Sequence, residues 1–184
     1  MRRRATRTIL AADGNRGNLS TLAHRLGNHG YLVVLADSGT QALELISARG
    51  FDLVLLERAM PELSGIHVLQ EIRSARDTAD LPAILLSGQD DPLGAVDAFA
   101  VGADDYLARP FEFEVLAARI ERILARAERI DELKRSNLAL DARIAARAIE
   151  LGEVRTELAA GKADRKRLLA SIQTLHDELD RVQG

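Results

Sequence analysis

The chain lacks cysteine and tryptophan altogether, and aromatic residues make up only 3% of its 184 positions. The absence of cysteine excludes disulfides and thiolate metal sites and fits a reducing compartment. No apolar run is long enough to span a bilayer, and no apolar segment of signal-peptide length follows the first residues. A core can still form from Leu, Ile, Val and Ala, because hydrophobic residues reach 47%. We therefore expect a cytoplasmic protein that makes no contact with a membrane.

A large excess of charge of one sign is also missing, since the formal net charge is −3. The one concentrated basic segment is at the start, where arginine occupies positions 2, 3, 4 and 7. We interpret residues 1–7 as a solvated basic tail. Without a broad basic field, no nucleic-acid partner is expected.

From residue 8 to about residue 125, short apolar runs alternate with stretches of helical period. The runs lie at 8–12, 32–36, 51–56, 81–87 and 105–108. Strands that alternate with helices are typical of βαβ units. The pattern predicts an α/β domain over residues 8–125, built on a doubly wound, five-stranded parallel sheet with helices on both faces.

An acidic side chain, Glu57, stands at the end of the third apolar run, in the stretch FDLVLLERAMPELSG. In open parallel sheets, functional groups lie in the crevice at the carboxyl ends of the strands. Glu57 is therefore a candidate functional residue.

Residues 126–184 contain no proline, and their apolar residues recur every seven positions. Of the sixteen a and d positions between residues 130 and 182, twelve are apolar aliphatic residues, and the phase never slips. A repeat of this length predicts a left-handed coiled coil that continues the last helix of the α/β domain without a flexible linker. The predicted dimer seam consists of Ile130, Leu133, Asn137, Leu140, Ile144, Leu151, Val154, Leu158, Leu168, Ile172, Leu175, Leu179 and Val182.

Asn137 at an a position favours a parallel, in-register homodimer, because a buried Asn pairs best with its own copy. Arg147, Gly161 and Arg165 interrupt the seam, so a hairpin with a turn at residues 159–164 is a second interpretation. The constant phase across Gly161 favours the continuous coil, since a hairpin loop has no reason to preserve the count.

Several motifs together resemble the receiver domain of two-component response regulators, which has the CheY-like fold. They are ILAADGNRGNL, DLVLLERAMPELSGIHVLQEIR, LPAILLSGQDD and GADDYLARPFEFEVLAARI. The resemblance implies phosphotransfer. In that family a strand-end Asp takes the phosphoryl group, two acidic residues after the first strand help to hold Mg²⁺, a Thr or Ser ends the fourth strand, and a Lys ends the fifth. Mg²⁺ and these side chains neutralise or position the phosphoryl oxygens.

Three positions of this chain match the family's site. Asp13 matches the first acidic residue, Ser87 the switch hydroxyl, and Tyr106 the switch aromatic residue. The resemblance therefore implies a switch site at the carboxyl ends of the strands.

Three other positions differ: Gly14 replaces the second acidic residue, Glu57 the phosphoacceptor Asp, and Arg109 the Lys. The extra methylene of Glu displaces the carboxylate by more than about 1 Å, which can cost roughly a hundredfold in rate. An Arg can form a standing ion pair with Glu57, and its planar fork can engage a carboxylate through two hydrogen bonds. We therefore expect a receiver that is not phosphorylated and has no cofactor, with weak Mg²⁺ binding at best.

The resulting hypothesis is a non-enzymatic, homodimeric signalling adaptor. Its expected partners are a second copy of the chain and a histidine kinase, another response regulator or an effector protein. Three alternatives stay open: a phosphorylatable, Mg²⁺-dependent receiver, the N-terminal regulatory part of a longer cyclase or kinase, and a structural coiled-coil spacer.

Overall fold

A computed structural model describes residues 6–88 and 94–183, with all of their side chains except those at 176, 178–180, 182 and 183. In chain order the elements are β1 (Thr8–Ala12), α1 (Arg16–Asn28), β2 (Leu32–Ala36), α2 (Gly39–Ala48), β3 (Leu53–Glu57), α3 (Gly65–Ser74), β4 (Ala83–Ser87), α4 (Gly94–Ala100), β5 (Asp105–Ala108) and α5 (Phe113–Gln183). The strands form one parallel sheet in the order β2-β1-β3-β4-β5. The predicted doubly wound α/β fold is confirmed.

The sheet separates two apolar cores. On one face, residues of α1 and α5 such as Leu26 and Leu116 pack against the strands. On the other face, α2, α3 and α4 contribute residues such as Ile46, Leu69 and Ala98. The central strands are covered on both faces, which explains why their sequences are continuous apolar runs instead of alternating ones.

Helices α1, α2 and α3 each follow a polar N-cap residue. Asn15 accepts hydrogen bonds from the backbone N–H groups at the start of α1, and Ser38 and Ser64 do the same for α2 and α3. Such caps satisfy N–H groups that have no partner within the helix. Gly65, the first residue of α3, lies so close to the carbonyl oxygen of Glu57 that a Cβ atom there would collide with it.

Arg7 differs from the expectation of a solvated tail. Its side chain is only 19% exposed and forms an ion pair with Glu128 of α5. Arg7 directly precedes β1. Because β1 is held in the sheet, the Arg7 side chain lies against the domain. Residues 1–5 of the predicted tail lie outside the described residues.

The chain divides into two compact units, residues 1–130 and residues 131–184. The predicted boundary, between residues 125 and 126, falls a few residues earlier. The helix α5 runs through residues 159–164 without a turn, so the hairpin interpretation is wrong. Within the described part of the chain, no helix is long and apolar enough to cross a membrane.

The described apolar residues of the predicted seam are all exposed in the single chain. Their exposed fractions range from 40% at Ile130 to 66% at Ile144. Asn137 is exposed as well. The side chains of Leu179 and Val182 lie outside the described residues.

Candidate functional site

Three buried polar side chains lie at the carboxyl ends of neighbouring strands. Glu57 is the last residue of β3, Ser87 is the last residue of β4, and Asp13 directly follows β1. Because β1, β3 and β4 are adjacent and parallel, these strand ends share one edge of the sheet. Strand order reverses at β1 and β3, which is where open α/β sheets form their functional crevice.

The guanidinium group of Arg109 bridges two of these carboxylates. Its Nε donates to Glu57 Oε2 at 3.3 Å, and its Nη2 donates to Asp13 Oδ2 at 2.9 Å. The predicted Glu57–Arg109 ion pair is present. The guanidinium does not place two hydrogen bonds on one carboxylate, however, because its fork is shared between the two acids.

Asp13 is held by three groups. Its Oδ1 accepts from the backbone N–H of Asn15 at 2.7 Å, and its Oδ2 accepts from the side-chain amide of Asn18 at 2.8 Å as well as from Arg109. Asn18 is a further residue of the site and is not among the residues predicted from the sequence. Its position in the first turn of the helix that leaves the switch point is the signal that indicates its role.

Burial raises the pKa of Glu57 above its ordinary value of 4.5, even though the nearby Arg109 acts to lower it. The Asp13 carboxylate adds to the increase, and the backbone N–H of Ala59 opposes it through a hydrogen bond. Desolvation therefore outweighs the ion pair at this side chain.

Gly14 is closely covered by Pro61. A Cβ atom built at Gly14 would lie 2.7 Å from Pro61 Cδ. Any side chain at this position requires Pro61 to move. The position that carries the second acidic residue in the family is therefore both empty of a carboxylate and sterically closed.

The two predicted switch residues have different surroundings. Ser87 Oγ donates to the carbonyl oxygen of Gly88 at 3.1 Å. Tyr106 packs against the core on the α2–α4 face, and its phenolic oxygen is buried with no hydrogen-bond partner among residues 6–88 and 94–183. The structure thus brings Asp13, Glu57 and Arg109 into direct contact, whereas Tyr106 is placed by packing.

A cavity of ≈ 780 Å³ lies beside Glu57. Its lining includes Ser87, His67 and the ion pair between Arg58 Nη2 and Asp97 Oδ2, which are 2.8 Å apart. Among the residues that the structure describes, no group of three or more His, Cys, Asp or Glu side chains could hold a metal ion.

These features define a receiver domain, and comparison with known proteins agrees. Residues 9–121 match the response regulator receiver domain family. The match covers more than half of the chain, so the chain belongs to this family. Receiver domains of this kind act in two-component signalling.

A curated relative is "Response regulator MprA" of Mycobacterium leprae, which is 39% identical over 120 residues. The match covers 65% of this chain and 52% of the relative. The chain thus spans about half the length of the curated relatives that it matches.

Solved structures of receiver domains share the fold. One is a response regulator receiver domain protein from Clostridium thermocellum, with 28% identity and a TM-score of 0.63 over 67% of this chain and 98% of that chain. Another is the signal receiver domain of a signal transduction histidine kinase from Syntrophus aciditrophicus, with 28% identity and a TM-score of 0.62 over 65% and 91% of the two chains.

Proposed function

We propose that this receiver works without phosphorylation and acts as a homodimeric signalling adaptor in a two-component pathway. The observation that carries the first part is the bridge from Arg109 to both Glu57 and Asp13. An internal cation occupies the place between the two acids where phosphotransfer needs a free carboxylate and a divalent ion.

The bridge disfavours nucleophilic attack by Glu57. An acceptor carboxylate must present a lone pair in line with the incoming phosphorus atom. Glu57 Oε2 is hydrogen-bonded to Arg109. The extra methylene of Glu also places the carboxylate further along the path of attack than Asp would. Pairing and position therefore both disfavour the ordinary acceptor chemistry.

The same bridge disfavours Mg²⁺. A magnesium site needs several oxygen ligands in near-octahedral geometry. Here the Asp13 carboxylate already accepts from Arg109 and Asn18, and Pro61 closes the position next to it, Gly14. The residues present do not fit a bound Mg²⁺ unless Arg109 leaves.

Intact-mass analysis after incubation with acetyl phosphate, with and without Mg²⁺, tests this part. We expect no gain for the native chain. The Glu57→Asp, Arg109→Lys double variant should gain one phosphoryl group with Mg²⁺, about tenfold faster than Glu57→Asp alone, because only the double variant frees Asp13.

The matched control is the double variant Glu57→Asp, Arg58→Lys, which changes an arginine next to the site that pairs with Asp97. It should behave like Glu57→Asp alone. Mg²⁺-dependent phosphorylation of the native chain at residue 57 would contradict the proposal and establish an ordinary receiver.

The adaptor part of the proposal is supported by the exposed seam of α5. Its apolar side chains need a second helix to cover them. In a parallel, in-register dimer, Glu150 and Glu157 at g positions face Arg155 and Lys162 at the following e positions of the other chain. These opposite charges favour the parallel orientation that Asn137 indicates.

Sedimentation equilibrium tests the dimer. The Leu140→Glu, Ile144→Glu variant places charges in the seam and should be a monomer. Leu138→Glu is the matched control, because Leu138 is 70% exposed but lies at a b position outside the seam; it should remain a dimer. A monomeric native chain, or equal effects of both variants, would contradict the dimer.

Response regulators interact with histidine kinases and effectors, and we propose the same two classes as further partners of this chain. Output would pass through contacts between proteins and not through a reaction in this chain. Binding of a candidate kinase should be unchanged by acetyl phosphate, and a phosphorylation-dependent affinity would argue against this.

A further inference from the structure

Helix α4 buries little apolar surface. It is the shortest of the described helices, with seven residues, and its buried residues are Gly94 and Ala98. The neighbouring helix α3 buries four residues, three of them large and aliphatic. On α4 the larger apolar side chains are exposed instead, Val96 to 64% and Phe99 to 53%. Apolar burial therefore stabilises α4 less than α3, and a helix this short does not persist without tertiary contacts.

The chain directly after α4 is held by a largely buried arginine of α3. Arg73 Nε donates to the Gly102 carbonyl oxygen at 2.9 Å, and its Nη1 donates to the Leu81 carbonyl oxygen at 2.7 Å. Gly102 has a φ of 90°, a conformation that glycine adopts without strain. Residue 102 is therefore a fixed point at which the chain turns away from α4.

The first turn of α4 is held by a weaker kind of contact. Asp97 Oδ2 accepts from Arg58 Nη2 at 2.8 Å, and half of the Asp97 side chain is exposed. Arg58 directly follows Glu57, and its backbone N–H donates to the Leu86 carbonyl oxygen at 2.7 Å. The arginine is thus fixed to the sheet, whereas its partner lies on the helix. An ion pair this exposed changes an equilibrium by only a few-fold.

Open space borders the same contact. The lining of the ≈ 780 Å³ cavity includes Asp97 and Ala100 of α4 as well as Glu57 and Ser87 at the strand ends. Atoms beside a cavity lack the close contacts of a packed core. A movement of α4 away from the strand ends therefore breaks few contacts on this side.

We propose that α4 opens locally while the rest of the receiver stays folded, and that the ion pair between Arg58 and Asp97 holds it closed. Opening separates this pair and uncovers Ala98, while Gly102 stays fixed by Arg73. Segments with few buried apolar contacts are the ones that open below the free energy of global unfolding. The inference does not depend on whether Glu57 is phosphorylated. A partner that pairs with Asp97 in place of Arg58 would shift the equilibrium without any covalent change.

Hydrogen–deuterium exchange of the full chain, followed by mass spectrometry of its peptides, tests this proposal. After correction for intrinsic rates, the amides of α4 should exchange at least about tenfold faster than those of α3. Asp97→Asn should speed exchange in α4 about threefold further and leave α3 unchanged. Raising the salt concentration to about 1 M should do the same to the native chain and nothing more to Asp97→Asn.

The reversed pair Arg58→Asp, Asp97→Arg should restore slow exchange in α4, because it rebuilds the attraction with the charges exchanged. Glu44→Gln, which removes an exposed acid from α2, is the matched control and should leave α4 unchanged. Equal exchange of native α3 and α4 would overturn local opening. An Asp97→Asn effect spread evenly over α3 and β3 would overturn it too, since the pair would then stabilise the whole receiver. No effect of Asp97→Asn would overturn the role of the ion pair.

Discussion

Leucine has opposite surroundings in the two units of this chain. In residues 1–130, the receiver unit, Leu55 and Leu56 are completely buried. In residues 131–184, called the coil unit after its predicted coiled coil, Leu133 and Leu158 expose more than half of their surface. The receiver unit completes its own core from two helix layers and a sheet. The described residues of the coil unit form an apolar stripe without a second layer packed against it. The same residue type is therefore expected to serve folding in one unit and association in the other.

Truncating a leucine in each unit tests this difference and should give the largest change in stability. Leu56→Ala should lower the free energy of unfolding of the receiver by about 3 kcal/mol, because it leaves a cavity in a close-packed core. Leu140→Ala should leave the receiver unchanged and weaken only association. Urea unfolding followed by far-UV circular dichroism at two protein concentrations separates the effects. A concentration-dependent loss for Leu56→Ala would contradict the division.

Arginine provides the second contrast. Arg73 donates to the carbonyl oxygens of Gly102 and Leu81 and to Asp104, at 2.9, 2.7 and 3.1 Å. Arg73→Ala should destabilise the receiver by about 2–3 kcal/mol, because the acceptors lose their partners.

Its counterpart in the coil is Arg167, which lies 4.0 Å from Asp164 one helical turn away and is largely exposed. Arg167→Ala should change stability by less than about 0.5 kcal/mol. Chemical unfolding of both variants measures the difference. Similar losses of stability would contradict the stabilising role of the Arg73 hydrogen bonds.

The protonation of Glu57 should make the stability of the receiver unit depend on pH. The folded receiver holds the proton of Glu57 more tightly than the unfolded chain does, since burial raises the pKa of this group above 4.5. Its contribution to stability is fully present below pH 4.5 and is lost as the pH rises through the raised pKa. Relative to Glu57→Gln, the native chain should therefore gain stability as the pH falls from 7 towards 4.5.

Unfolding free energies of the two proteins, measured across this range, give the difference directly. A difference that does not change with pH would mean that the ion pair with Arg109 offsets the burial completely.

Two substitutions, one to glycine and one from glycine, should have small effects and each should stabilise its own unit. Glu62 has a φ of 63°, a conformation that suits glycine, so Glu62→Gly should stabilise the receiver by about 0.5–1 kcal/mol. Gly152 lies inside α5 with open space around it, and Gly152→Ala should stabilise the coil by about 1 kcal/mol. Thermal unfolding measures both, and a destabilising Glu62→Gly would mean that the Glu62 side chain contributes more than its backbone costs.

Much of the fold could be predicted because the relevant signals are local. The lengths of the apolar runs placed Glu57 and Ser87 at strand ends, and the heptad phase across Gly161 indicated one helix. The Glu57–Arg109 pair followed from the resemblance to receivers. Each of these inferences depends on spacing along the chain or on a short motif.

The remaining site features depend on distant parts of the chain meeting. The contact of Arg109 with Asp13 joins residues 96 positions apart, and the closure of Gly14 by Pro61 depends on how one loop folds over another. The docking of Arg7 on Glu128 likewise needs β1 to lie beside α5. No local pattern reports such distances.

By itself, the sequence determined the order of the elements, the residues at the strand ends and the seven-residue phase of the apolar residues from residue 130 onward, because these follow from the periods of helices and strands. Only the tertiary structure decided that one guanidinium serves two acids and that Pro61 covers Gly14. These features arise when strands and loops far apart in sequence are brought together, so their geometry exists only in the folded chain.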